Sequence, residues 1–253
     1  MPVCPNQSLF EDEEGKIGRN FERCTQCGVC AKVCPAGARE IRGSTMTVEE
    51  VLEKVEKDRI FYRRGGGGVT LSGGEILMQA AFATNILRRC WDKLIHTAVE
   101  TCAFGAWEDL QAILTYTNLA FIDIKHTDPV IHQKLTGRSN RQIQDNIRKA
   151  ATFCREWKRH LILRFAVVPG MNDSSENLRD IANFLKGLAG GWELNLLPYH
   201  KYGVSKYDWL GMEYKLVEVE PPSRDRLLEI VRYFESFGIL CSLGGAEIRS
   251  VAV

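Results

Sequence analysis

The chain has 253 residues, 45% hydrophobic and 26% charged, the balance of an ordinary globular protein with a sizeable core. Lys and Arg number 33 against 32 Asp and Glu, so the formal charge of +1 supplies no field for nucleic acid or an anionic membrane. The start, MPVCPNQSLFEDEEG, is acidic with no apolar stretch, and the best apolar run, Leu161 to Val168, is interrupted by Arg164, which argues against a signal peptide and against a spanning helix.

Nine cysteines, an odd number, fit a disulfide framework poorly and predict a cytoplasmic protein whose thiols are reduced or bound to metal. Four of them fall together as Cys24, Cys27, Cys30 and Cys34, followed by Pro35. The run is C-x2-C-x2-C-x3-C-P, the spacing with which bacterial ferredoxins hold an iron–sulfur cluster, Gly28 relaxing the loop around it. Zinc is the competing ion, but its sites more often pair two C-x2-C units across a longer spacer. The fourth ligand is Cys34 or a more distant thiol. Cys90, Cys102, Cys154 and Cys241 sit in or beside apolar periodic segments and are expected to be inert buried thiols.

Beyond residue 40, strands and helices alternate. Thr47 and Glu50 form a capping box ahead of a helix whose face carries Val48, Val51, Leu52 and Val55. Strands are predicted at 69–72, 96–101, 119–125, 161–168, 193–198 and 239–243. Helices are predicted at about 78–91, 106–116, 140–157, 176–188 and 223–237. This alternation argues for an α/β fold with a parallel sheet and right-handed crossovers. The nearly continuous apolar strands suggest a sheet covered on both faces. The stretch 201–222, with Pro221-Pro222, lacks periodicity and is expected to be a long ordered loop.

Chemistry in such sheets gathers at the carboxyl ends of the strands. Those ends carry Ser72-Gly73-Gly74-Glu75, Glu100-Thr101, Asp123-Ile124-Lys125 and Tyr199-His200, with Arg164 near a strand centre. Singly, each has an ordinary explanation: a surface pair at Asp123 and Lys125, Arg164 holding a structural carboxylate, His200 bonding within a loop. Together they are what one sheet would collect in one place. Two nucleotide motifs fail. Leu71-Ser-Gly-Gly-Glu75 resembles an ATPase signature peptide, but the chain has no P-loop, and Gly65–Gly68 precedes its strand instead of following it.

Gly66 to Glu75, His96 to Thr101, Asp123 to Lys125 and Leu197 to His200, with Lys206-Tyr207, resemble the activating enzymes of glycyl radical enzymes, the radical S-adenosylmethionine family of pyruvate formate-lyase activase. The resemblance runs from about residue 3 to the end. It implies a partial (β/α)6 radical-SAM-type barrel missing its first strand, with a small ferredoxin-like iron–sulfur insert near the N-terminus. The implied divisions are a radical-cluster remnant at 1–19, a 4Fe–4S segment at 20–40 and the partial barrel at 41–253. It also implies cofactor contacts at Gly74 (methionine amino group), Asp123, Ile124, Lys125, Arg164 (methionine carboxylate) and His200 (adenosyl part). Cys4 matches the third cysteine of the family's C-x3-C-x2-C motif, whose first two members do not occur in this sequence.

The implied chemistry is reductive cleavage of S-adenosylmethionine to a 5′-deoxyadenosyl radical, which takes hydrogen from a backbone glycine of a partner glycyl radical enzyme under anaerobic conditions. A flavodoxin- or ferredoxin-type protein is the implied electron donor, with no nucleic acid or membrane partner. The rival expectation is a catalytically degenerate iron–sulfur electron-transfer protein on the same scaffold.

Overall fold

The computed structural model describes residues 3–244 and divides into two compact units. One comprises Met1–Met46 with Lys201–Val217, the other Thr47–His200 with Glu218–Val253. The first contains an antiparallel hairpin, β1 (Leu9–Glu11) and β2 (Ile17–Arg19), and a single turn of helix, α1 (Val29–Lys32).

The second unit begins with helix α2 (Val48–Lys57), started by the expected capping box: Thr47 accepts from the Glu50 amide, and the Glu50 carboxylate accepts from the Thr47 amide. A further helix, α3 (Arg59–Gly65), follows at once and closes on Gly66 in the left-handed conformation (φ 66°). Then come β3 (Gly68–Leu71), α4 (Ala80–Asp92), β4 (His96–Thr101), α5 (Trp107–Thr115) and β5 (Leu119–Ile124). Helices α6 (Pro129–Thr136) and α7 (Arg141–Glu156) lead to β6 (His160–Val167), and α8 (Ser175–Lys186) to β7 (Trp192–Pro198). After α9 (Val204–Leu210), which belongs to the first unit, α10 (Arg224–Ser236) and β8 (Cys241–Leu243) complete the series.

The six strands form one sheet in the order β3-β4-β5-β6-β7-β8, every pair parallel. All six predicted strands are present, within a residue or two. An unreversed order has a consequence. Right-handed crossovers repeated in one direction return every helix to the same face, which is how a barrel wall is wound and not how a doubly wound sheet is built.

The expectation of strands covered on both faces is therefore corrected. Burial alternates along β5, where Ala120, Ile122 and Ile124 are buried while Leu119, Phe121 and Asp123 are half-exposed. The same alternation in β6 buries Leu163, Phe165 and Val167 and leaves Arg164 partly open. The buried positions join Leu87, Leu110, Ile113, Ile147, Ile181, Leu185 and Phe234 from the helices in one continuous core. The second correction concerns 201–222, where a 3₁₀ turn at Lys201–Gly203 and α9 replace part of the expected ordered loop.

Cys154 and Cys241 lie in this core, and burial pushes both thiols up to about 12. Unfolded thiols ionise near their ordinary value of 9.0, so above that pH the unfolded chain has released protons that the folded chain keeps. Stability is thus intact below pH 9 and declines toward pH 12, by about 1.4 kcal/mol per pH unit for each thiol. Denaturant titrations of Cys154→Ala are expected to show a shallower alkaline decline than the native chain. An identical slope would show that Cys154 ionises in the folded state.

Candidate functional site

Period-two alternation turns Glu100, Asp123 and Arg164 to the face opposite the core, Glu100 pairing across the sheet with Phe121, two residues before Asp123. Asp123 stands directly across from Arg164 in the β5–β6 ladder. Arg164 Nε donates to Asp123 Oδ1 at 3.1 Å, and its terminal nitrogen donates to Glu100 Oε1 at 2.9 Å. The row extends both ways: Ser72 Oγ donates to Glu100 Oε2 at 2.7 Å, and Lys125 Nζ donates to Asp123 Oδ2 at 3.0 Å. The Arg164 guanidinium also lies 5.2 Å from the centre of the Phe121 ring on the same face.

Two carboxylates and two cations from three neighbouring strands thus form one charged row, with Ser72 from the end of β3 beside it. The Arg164 side chain is 16% exposed, against 33% for Glu100 and 28% for Asp123. Water therefore reaches the row without dissolving it, and each ion remains able to exchange a protein partner for a ligand.

Gly73 and Gly74 follow β3 at the edge of the row. Gly73 has a φ of 122°, which other residues rarely adopt, and a Cβ built on either glycine meets no atom within 4 Å. The backbone here faces open space that a ligand can approach closely. Glu75 anchors this turn, a role the sequence reading left unassigned. Its Oε1 accepts from Thr101 Oγ1 at 2.6 Å and Leu77 N at 3.1 Å, and its Oε2 accepts from Cys102 N at 2.8 Å. The signal available was an acidic residue immediately before the apolar pair Ile76-Leu77, the position of a helix cap. Burial, followed by the neighbouring Glu75 carboxylate, pushes the Cys102 thiol up to about 11, which keeps it protonated.

Of the predicted cofactor contacts, Gly74, Asp123, Lys125, Arg164 and His200 lie on the open face or at carboxyl ends of strands in this sheet. His200 is exposed and stands two residues beyond β7. Ile124 differs: it is 4% exposed and its side chain belongs to the core, so only its backbone faces the site.

Cys4, Cys24, Cys27, Cys30 and Cys34 belong to the other unit. The Cys4 thiol is lowered from its ordinary value, first by the Ser8 hydroxyl and then by the Ser8 amide. Ser8 Oγ lies 3.1 Å from Sγ, and Ser8 N donates to it at 3.3 Å. Gln7, at φ 48°, turns the chain back around the sulfur. Cys34 is lowered in the same way by the backbone amides of 36–39, that of Arg39 foremost. Such nests of donors suit a metal-bound thiolate. Gln26 (φ 55°) and Gly28 (φ 75°) wind the chain between Cys24 and Cys30. The four thiols are free, and among the described residues no three His, Cys, Asp or Glu side chains are drawn to a common centre. The donor chemistry of these thiols fits an iron–sulfur cluster.

A family model described as the radical SAM superfamily matches residues 21–185. The (2S)-3-sulfopropanediol dehydratase activating enzyme of Klebsiella oxytoca is 37% identical over 252 residues, 97% of this chain and 78% of the relative. The pyruvate formate-lyase-activating enzyme of Clostridium pasteurianum is 34% identical, over 83% of this chain and 87% of its own. Among solved structures, a domain of the pyruvate-formate lyase-activating enzyme from Bacteroides vulgatus superposes with a TM-score of 0.59 at 29% identity, covering 71% of this chain and 99% of that one. A radical SAM methyltransferase from Sphaerobacter thermophilus, at 15% identity and a TM-score of 0.60 over 93% of this chain and 72% of that one, shares the fold. The chain belongs to the radical SAM superfamily and, within it, to the branch of glycyl radical enzyme activating enzymes.

Anaerobic reconstitution with iron and sulfide is expected to give the visible absorption of an iron–sulfur cluster, largely lost in Cys27→Ser. Stoichiometric zinc without iron uptake would contradict the assignment of the Cys24–Cys34 segment.

Proposed function

We propose that this chain activates a glycyl radical enzyme, using S-adenosylmethionine and a 4Fe–4S cluster to set a radical on a backbone glycine of that partner. The observation that carries this reading is the charged row Ser72–Glu100–Arg164–Asp123–Lys125 beside the open Gly73-Gly74 turn. A ligand bearing an ammonium and a carboxylate needs both signs of charge fixed on one wall, and a close approach to its backbone neighbours. The row supplies both signs and the glycine turn supplies the approach.

When bound, the cluster would supply a reducing electron and S-adenosylmethionine the radical chemistry. The chain's residues bind and orient. The carboxylates of Glu100 and Asp123 suit the ammonium, and Arg164 and Lys125 suit the carboxylate. The backbone of Gly74 would lie beside the amino group, the backbone of Ile124 closes the wall between Asp123 and Lys125, and His200 would meet the adenosyl part. Each charged side chain is already held by a neighbour, so little side-chain ordering remains to be done on binding. Cys4, in its nest of donors, is a ligand of the catalytic cluster. Cys24, Cys27, Cys30 and Cys34 hold a second cluster that relays electrons from a flavodoxin- or ferredoxin-type donor. The setting is an anaerobic cytoplasm, with no nucleic acid or membrane partner; no helix among the described residues is long and apolar enough to cross a membrane.

Gly74→Val separates cofactor space from fold. With nothing within 4 Å of the added Cβ, folding stability is expected to stay within about 0.5 kcal/mol of the native value. Equilibrium dialysis is expected to show S-adenosylmethionine binding strongly weakened, because the valine occupies the ligand's space. Unchanged affinity would remove the site from this face of the sheet.

A further inference from the structure

Asn172 lies in the connection between β6 and α8 and is 4% exposed. The β5–β6 ladder ends at the pair Ile124 and Phe165, so Lys125, one residue further, has left it. The Lys125 carbonyl nevertheless keeps a partner. Asn172 Nδ2 donates to Lys125 O at 3.1 Å and to Ala166 O at 2.8 Å, while Asn172 Oδ1 accepts from Val168 N at 2.8 Å. The side-chain amide acts as one more rung between the two strands, placed where their backbones no longer meet.

That rung is itself supported. Asn177 Nδ2 donates to Asn172 O at 2.6 Å, and Asn177 Oδ1 accepts from Thr127 N at 3.3 Å and Thr127 Oγ1 at 3.1 Å. Asn140 Nδ2 donates to His126 O at 2.6 Å and Thr127 O at 2.9 Å. Residues 125–127 are thus gripped by three asparagines exposed by 4%, 2% and 1%. The grip falls on the segment that carries Lys125 out of the strand toward its pairing with Asp123.

We infer that Asn172 is a positioning residue for the charged row: by capping the ends of β5 and β6 together, it sets the direction in which Lys125 leaves the sheet. This rests on the reading of the row as the S-adenosylmethionine site. The chemistry demands asparagine. Donors are needed on one arm of the terminal amide and an acceptor on the other. Aspartate keeps the acceptor for Val168 N but offers no donor at neutral pH, and sets a charge against two carbonyls. An aliphatic side chain would leave three half-buried polar groups without this partner.

The test compares buried polar positions at the two ends of the sheet, using the full chain prepared anaerobically and checked for folding by circular dichroism. Asn172→Asp is expected to weaken S-adenosylmethionine binding by about tenfold or more. The comparison is Thr97→Val, which removes a buried hydroxyl that donates to Tyr116 O at 2.7 Å near the amino end of β4. It is expected to lower the melting temperature and leave the affinity within about twofold. If Asn172→Asp does not fold, Asn172→Ser, which keeps one hydroxyl donor, is expected to show the same loss in smaller measure. Asn172 variants that bind like the native chain, while Lys125→Met loses affinity, would overturn the positioning role and leave the site in place. Native affinity in Lys125→Met would overturn the reading of the site, and this inference with it.

Discussion

The pairing of one guanidinium with two carboxylates on neighbouring strands is the constraint around which the site is arranged. Arg164 is the least exposed member of the row, and it holds Asp123 and Glu100 at once. A half-buried cation without partners would be costly, and so would two half-buried carboxylates facing each other. The three groups satisfy one another only if β4, β5 and β6 are adjacent, parallel and in register. The site thus depends on the sheet order as much as on the residues.

The sheet order has its own physical cause. Crossovers of one hand, repeated without reversal, leave the crossover helices of this unit on one face. The other face mixes apolar residues such as Phe121 and Ile162 with polar ones. Glu100, Asp123, Arg164 and Asn195 each stand between buried neighbours. Asn195 continues the polar face toward the last strand by donating to Ser242 Oγ at 2.7 Å and Gly244 O at 2.9 Å. The strands consequently carry two different codes, an apolar one for the core and a charged one for the ligand.

Much of this was legible in the sequence. Strand and helix periods placed all six parallel strands, and the Thr47–Glu50 capping box marked α2 correctly. What escaped was short or dependent on distant partners. Helix α6 carries every local signal: Asp128 caps it through the amides of Val130 and Ile131, Pro129 opens it and Gly137 closes it at φ 80°. At eight residues it is too brief for its periodicity to stand out from the connection around it. Helix α9 leaves Trp209, Leu210 and Tyr202 near it exposed, so no apolar face announced it. The half-exposed face of the sheet was also missed, because apolar residues such as Phe121 and Leu197 share it with the charges. Asn172 was invisible for another reason: its role exists only once β5 and β6 end side by side, which no local pattern encodes.

The central claim is that the cofactor binds on the open face at the carboxyl ends of β3 to β6. Hydrogen exchange measured peptide by peptide, with and without S-adenosylmethionine, tests it most directly. The account predicts slower exchange at residues 72–76 and 123–127, with the helices on the opposite face unchanged. Protection confined to the depression of about 380 Å³ between α5 and α7, lined by Trp107, Arg148, Lys149 and Phe153, would place the ligand on the helix side and contradict the account.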